Sequence, residues 1–317
     1  MLEEQILNFK QQFDFVPKLI NGEILVKKSK YVLYGMGGSA LVGDILRGVF
    51  PNINLIIHRS YGLPDFMPWP KEECLHIFSS YSGNTEEVLS ALTVAQEAKL
   101  NSAVITSGGI LLERAKDLKI PYVILPEGIQ PRMALGYFLK AAALLITEDL
   151  NQEIAETVKN FDPAKLKEAG EKIAELSSGK PFLIYSSNRD SSVGYMWKVK
   201  LNENAKHSAF SNSIPEANHN EIEYLEDGKM NNLFFPVFIM DSDNSDKITK
   251  RMKSLMEINN DLKIAQAAFE LFGSCRLEKI LGGMVLADFT SLKLAKDKGV
   301  DPQRVLILED FKKRIKK

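Results

Sequence analysis

The sequence predicts an α/β chain of two doubly wound parallel-sheet subdomains, and three observations carry that expectation. Short runs rich in β-branched and aromatic residues alternate with helical stretches from residue 31 onward. The first and third of those runs end in turns packed with glycine or hydroxyl residues, where such a sheet keeps its binding loops. The alternation starts again, more weakly, after residue 180, and 317 residues exceed what one compact core usually serves. The division expected is 1–150 and 151–317.

In order, YVLYG (Tyr31–Gly35), NLIIH (Asn54–His58), LHIFS (Leu75–Ser79), SAVIT (Ser102–Thr106) and YVIL (Tyr122–Leu125) read as buried strands. Helices are expected between them over Leu41–Val49, Glu86–Lys99, Leu111–Leu118 and Met133–Thr147. The stretch Glu148–Ser178 is helical and polar, punctuated by Asn151, Asp162–Pro163 and Gly179. In the second half PFLIYSS (Pro181–Ser187), NLFFPVFIM (Asn232–Met240) and LKIAQAA (Leu262–Ala268) are the strand candidates, and Leu277–Lys298 is one long helix. The halves share a layout and no residue-level repeat. Functional loops are expected where strands end at their C-terminal edge.

Composition narrows the class. Hydrophobic residues make up 45% and charged residues 26%, ordinary for a globular enzyme. A net charge of −1 gives no field for nucleic acid or anionic lipid. Cys74 and Cys275 alone imply no disulfide framework and fit a reducing cytoplasm. The start, MLEEQILNFKQQF, lacks a basic leader, and no apolar run reaches about 18 residues, so no membrane span is expected. The basic end KKRIKK reads as a solvated last helical turn rather than a membrane or nucleic-acid tail.

Two turns carry the chemistry. GMGGSA (Gly35–Ala40) closes the first strand and opens a helix, so its glycines let backbone N–H groups at a helix N-terminus approach an anion. It also fits the dinucleotide pattern, which expects an acid about 20 residues on. His58, Arg59 and Ser60 stand there instead, so only an NADP 2′-phosphate on Arg59 keeps that reading open. SYSGNT (Ser80–Thr85) closes the third strand and opens another helix. Ser80, Ser82 and Thr85 can each donate to a phosphate oxygen, Gly83 permits the tight turn, and Glu86 and Glu87 complement the helix dipole. A plain helix cap needs only one such hydroxyl. The ligand these turns suit is a small phosphorylated metabolite.

GMGGSA, SYSGNTEE, PRMALGY (Pro131–Tyr137), LNENAKHSA (Leu201–Ala209) and PEANHNEIE (Pro215–Glu223) together resemble the bifunctional phosphoglucose/phosphomannose isomerases of the sugar isomerase (SIS) domain proteins. The resemblance runs over nearly the whole chain in family order. It implies two SIS-type, flavodoxin-like subdomains, a cytoplasmic homodimer, and reversible isomerisation of glucose 6-phosphate and mannose 6-phosphate to fructose 6-phosphate. No cofactor and no metal are implied. Gly37, Gly38 and Ser39 with Ser80, Ser82 and Thr85 would hold the phosphate.

Aldose–ketose interconversion needs ring opening and then a base that carries a proton between C1 and C2 through a cis-enediolate, with a cation facing that charge. Glu203, Glu216, Glu221 and Glu223 compete locally for the base, and the family's ENAK segment implies Glu203. His58, His76 and His207 read as structural. His219 lies in a polar turn where an imidazole can act near neutral pH, and the resemblance implies ring opening there, with His219 delivered from the partner subunit. His219-Asn220-Glu221 as part of a metal site lacks the usual His/Cys spacing. Arg132 would face the enediolate, a surface pair with Glu127 being the structural alternative. The family's ring-opening lysine follows a GVDP turn, implying Lys312 after Val305, Leu308 and Phe311. Phe311 departs from the aliphatic pattern, and Lys313 and Lys298 stand near. Two other classes remain: a non-catalytic sugar-phosphate sensor, which would need neither Glu203 nor His219, and an NADP-dependent oxidoreductase.

Overall fold

The computed structural model of the chain describes residues 2–147, 149–228 and 233–315. Its contacts divide into two compact units. The first holds Asn8–Phe161 with Ser274–Glu278; the second holds the residues up to Leu7, Asp162–Gly273 and the chain from Lys279. A division at 150 would have cut the helix Asp149–Asn160 two residues after its start. The break instead follows Phe161, where the Asp162 carboxylate accepts from Ala164 N at 3.1 Å and Pro163 opens a new turn.

After α1 (Leu2–Leu7), which belongs to the second unit, six strands of the first unit form one sheet. They are β1 (Leu19–Ile20), β2 (Tyr31–Tyr34), β3 (Leu55–His58), β4 (Leu75–Ser80), β5 (Ser102–Thr106) and β6 (Tyr122–Ile124), ordered β1-β6-β5-β4-β2-β3. All pair in parallel except β1, which runs antiparallel along β6 with Leu19 opposite Val123. At two residues β1 is too short to leave a sequence period, yet it shields the edge of β6. Between the strands run α2 (Gly37–Val49), α3 (Glu86–Glu97) and α4 (Gly109–Asp117), and after β6 come α5 (Leu135–Leu145) and α6 (Asp149–Asn160). Val32, Tyr34, Phe78 and Val104 bury one face against Val88 and Leu92 of α3 and Leu111 and Ala115 of α4. Leu33 and Ile57 meet Gly43 of α2 on the other. Burial on both faces explains why these strands read as apolar runs rather than alternating ones. β2 has β3 on one side and β4 on the other, so the strand order reverses between β2 and β4.

The second unit holds α7 (Lys167–Ser177), β7 (Phe182–Ser187), α8 (Ser191–Asn204), β8 (Ala209–Ile214), α9 (Ala217–Asn220), β9 (Phe235–Met240), α10 (Asp246–Asp261) and β10 (Ala267–Glu270). They are followed by α11 (Arg276–Lys298) and α12 (Leu306–Ile315). The sheet is all-parallel in the order β10-β9-β7-β8, reversing between β7 and β9. Tyr185, Ile214 and Phe238 pack on Met252 and Leu255 of α10. On α8, Trp197 stacks on Phe269 at 5.1 Å and donates from Nε1 to Gly283 O at 2.8 Å. Three sequence expectations shift. β8, AFSNSI, was not expected, because its half-exposed and exposed middle carries Ser and Asn instead of a hydrophobic run. The strand sought over Leu262–Ala268 begins only at Ala267, since Lys263 and Ile264 close α10, with Ile264 N donating to Asn259 O at 2.8 Å. The strand expected from Asn232 starts at Phe235; Asn232, like Glu148, Lys316 and Lys317, lies outside the described residues. Among the described residues no helix is long and apolar enough to cross a membrane.

Candidate active site

Both phosphate-loop candidates lie at the reversal point of the first sheet, one after β2 and one after β4. They are joined by hydrogen bonds: Tyr81 N donates to Ser39 Oγ at 3.0 Å, and Ser79 Oγ donates to Ser39 O at 2.9 Å. α2 starts from Met36 and α3 from Thr85, and neither start has a side-chain cap, so first-turn N–H groups remain to be used. The hydroxyls share a pattern. Ser39 Oγ accepts from Tyr81 N, Ser80 Oγ from Gly83 N (3.1 Å) and Ser82 Oγ from Asn84 N (3.3 Å). Ser80 Oγ and Thr85 Oγ1 lie 2.8 Å apart and share one hydrogen. Backbone donors thus occupy oxygen lone pairs and leave O–H groups to give, the polarity an anion needs. Ser80 and Ser39 are buried, Thr85 is half-buried and Ser82 is exposed.

A third loop, Ser107–Ile110 after β5, was missed in the sequence. Ser107 Oγ donates to Tyr81 O at 2.6 Å, and Asn84 Oδ1 accepts from Ile110 N at 3.1 Å. Gly83, at φ +68, lies so close that a Cβ there would fall 1.7 Å from Gly108 O. The signal was present: Ser107-Gly108-Gly109 repeats, after β5, the glycine-and-hydroxyl signature of the other two turns.

Arg132 stands beside these loops in a 3-10 turn, Pro131–Met133, with only 2% of its surface exposed. Gly38 makes this possible, because a Cβ there would come 2.5 Å from Arg132 N. The guanidinium donates to Gln130 Oε1 at 3.4 Å. Gln12, another residue sequence reasoning passed over, holds this turn in place. Its Nε2 donates to Met133 O at 2.7 Å, and its Oε1 accepts from Gly136 N at 2.9 Å, capping α5 from 124 residues away. Arg59, the cation considered for a 2′-phosphate, is bonded to Asp44 of α2.

The remaining candidates lie in the second unit. Glu203, half-buried, occupies the last turn of α8, and its carbonyl accepts from Lys206 Nζ at 3.0 Å. His219 is exposed on α9, with its N–H donating to Glu216 O at 2.8 Å. β8 runs between them: α8 ends before its first residue and α9 begins after its last. Glu203 and His219 of one chain therefore lie towards opposite ends of β8, a six-residue strand about 17 Å long. Catalytic loops were expected at the C-terminal edge; Glu203 is instead at the other edge, because α8 carries it back along β7. Lys312 and Lys313 are exposed on α12, none of whose residues is buried. Lys298 is committed elsewhere: its Nζ meets His207 Nδ1 at 2.5 Å, and burial holds both groups below their usual values. His207 Nε2 is 2.8 Å from Lys180 O, which makes it the donor and leaves Nδ1 to accept. His76 is structural too. Burial lowers its pKa, Tyr34 Oη lies 2.8 Å from Nδ1, and Nε2 donates to Lys71 O at 2.9 Å. Beside His219, burial pushes Glu221 up against the opposing pull of Tyr185 and Asn212. Among the described residues no group of three or more His, Cys, Asp or Glu is placed to hold a metal ion.

The chain is similar to known proteins over nearly its whole length. Residues 166–315 match the bacterial phospho-glucose isomerase C-terminal SIS domain. The bifunctional phosphoglucose/phosphomannose isomerase of Thermoplasma volcanium is 31% identical, with 98% of each chain covered. The D-glucosamine-6-phosphate 4-epimerase of Sulfolobus acidocaldarius is 30% identical, covering 95% of this chain and 93% of its own. Among solved structures, glucosamine-6-phosphate deaminase from Thermotoga maritima aligns with a TM-score of 0.68 at 16% identity, covering 95% of each chain, a likeness of fold.

Proposed function

This chain belongs to the bifunctional phosphoglucose/phosphomannose isomerase family, and from that premise we propose that it interconverts glucose 6-phosphate and mannose 6-phosphate with fructose 6-phosphate. The observation that carries the reading is the linked pair of loops after β2 and β4, whose serine oxygens accept from the backbone and so leave O–H groups to donate, while Arg132 stands buried beside them. Gly37, Gly38, Ser39, Ser80, Ser82 and Thr85 hold the phosphate.

His219 and Lys312 open the ring, one protonating the ring oxygen and the other taking the anomeric hydroxyl proton. Glu203 removes the C2 proton of the opened aldose as the C1 carbonyl becomes an enediolate oxygen. Returning that proton to C1 makes the ketose, as the hydroxyl proton on O2 passes to O1 and C2 becomes the carbonyl. Arg132, charged at every working pH, stabilises the enediolate. The strand length between Glu203 and His219 supports a homodimer in which His219 of the partner subunit completes each site. We place the enzyme in the cytoplasm and give it no cofactor or metal.

The test is a coupled assay for fructose 6-phosphate from each aldose ester, with chelator present, on the wild type and Glu203→Gln. Turnover of at least the glucose ester is expected, unchanged by chelator and reduced about a thousandfold or more in the variant. Chelator-sensitive turnover, a fully active variant, or C4 epimerisation of glucosamine 6-phosphate in place of isomerisation overturns the reading.

A further inference from the structure

We infer that Lys206 is a positioning residue that ties the turn carrying Glu203 to the turn that launches α12, and so sets Glu203 and Lys312 relative to one another. The inference rests on the roles proposed for those two groups.

Lys99, Lys119, Lys206 and Lys263 all occupy the left-handed position two residues beyond a helix end, at φ of +53, +54, +48 and +54. That conformation costs a non-glycine residue about 1 kcal/mol, and a lysine there also meets the negative end of the helix dipole. Among the described residues Lys99, Lys119 and Lys263 make no side-chain hydrogen bond, and their backbones close the helix in one way. The next N–H in each case donates five residues back, as in Leu100 N to Ala95 O at 2.9 Å.

Lys206 differs on both counts. His207 N reaches back to Leu201 O at 3.1 Å, a wider wrap. The Lys206 ammonium donates to Glu203 O at 3.0 Å and, across 95 residues of sequence, to Asp301 O at 2.6 Å. Lys298, from the end of α11, donates to Lys206 O at 3.5 Å.

The turn it grips is internally stiff. Gly299, at φ +64, closes α11 with Val300 N donating to Ala295 O at 3.0 Å, and Asp301 Oδ1 accepts from Gln303 N at 2.8 Å. Beyond that turn comes α12, with no buried residue. A helix of ten residues with no packed face takes its direction from the turn that starts it. The ammonium of Lys206 joins that turn to the last turn of α8, where Glu203 sits.

Lys206→Met keeps the apolar stem and removes the donor; Lys206→Arg keeps a donor of similar reach. Since a misplacement of about 1 Å can cost about a hundredfold in rate, Lys206→Met is expected to lower kcat at least about tenfold with KM within about threefold. Lys206→Arg should recover most of the loss. Hydrogen exchange, which does not depend on activity, should quicken at least about tenfold over Asp301–Ile315 and stay unchanged in β7, β8 and β9.

Wild-type kcat in Lys206→Met overturns the inference. So does a slowed variant whose exchange over Asp301–Ile315 is unchanged, or one that loses protection throughout the sheet. A wild type inactive on both aldose esters counts against the proposed reaction instead, and the exchange result still decides whether Lys206 holds the turn.

Discussion

The two sheets reverse their strand order at comparable places, and the chain treats the two crevices in opposite ways. After β2 and β4 it places glycine, serine and threonine; the oxygens of Ser39, Ser80 and Ser82 accept from the backbone, and Ser80 and Thr85 share one hydrogen between them. After β7 and β9 it places Asn188-Arg189-Asp190 and Asp241-Ser242-Asp243, and these satisfy one another. Arg189 pairs with Asp243 at 3.0 Å, Lys279 bridges Asp241 at 2.8 Å and Asp243 at 3.0 Å, and Ser187 Oγ donates to Asp190 at 2.7 Å. One topology thus yields a receptive crevice lined by neutral hydroxyls, and a filled one whose charged groups are bonded to their neighbours. The fold offers the place and the side chains decide its use. With its own crevice filled, the second unit carries the groups proposed to react elsewhere, Glu203 at one edge and His219 at the other.

The largest test of that contrast mixes two dead enzymes. Glu203→Gln and His219→Asn are each expected to be inactive. If one subunit lends His219 to the other's Glu203, refolding an equal mixture restores about a quarter of wild-type activity. Half the dimers are then mixed, and each has one intact site of two. No recovery would mean that both groups serve from a single chain. Next in size is Gly83→Ala, whose Cβ meets Gly108 O; kcat/KM is expected to fall about a hundredfold and the melting temperature to drop. Gly179→Ala is the control. It shares a positive φ of +75 with open space around it, so it should cost about 1 kcal/mol of stability and no activity.

Smallest in activity is Lys279→Met in the filled crevice. The Asp241 side chain is fully buried, and removing its partner should destabilise the fold by about 3 kcal/mol, read by denaturant unfolding, with kcat/KM within about twofold. Burial pulls the Lys279 pKa down, yet its bonds to Asp241 and Asp243 hold it above the ordinary 10.5. The stability this pair contributes is therefore complete below about pH 10.5 and lost as pH rises through the raised value. On the alkaline side the gap between wild type and variant should narrow there.

What the sequence disclosed follows from how local each feature is. GMGGSA and SYSGNT could be read because their glycines and hydroxyls act within a few residues of one another, between a strand and a helix. β8 could not, since Ser211, Asn212 and Ser213 break the apolar run that announces a strand. Gln12 left no trace because its partners, Met133 and Gly136, are supplied only by the folded chain. Glu203 was legible through its family motif alone. One glutamate among several on a polar stretch has no distinguishing period, and its place at the far edge of the sheet appears only once α8 is folded back along β7.

At its C-terminal end the chain separates scaffold from catalyst. Among the described residues every buried side chain of both cores precedes α12, so a protein trimmed back to Val305 keeps both cores and loses the lysine assigned to ring opening. One truncation would therefore separate that single proposed role from the fold, whereas the role proposed for Arg132 is inseparable from it, since Arg132 is itself buried.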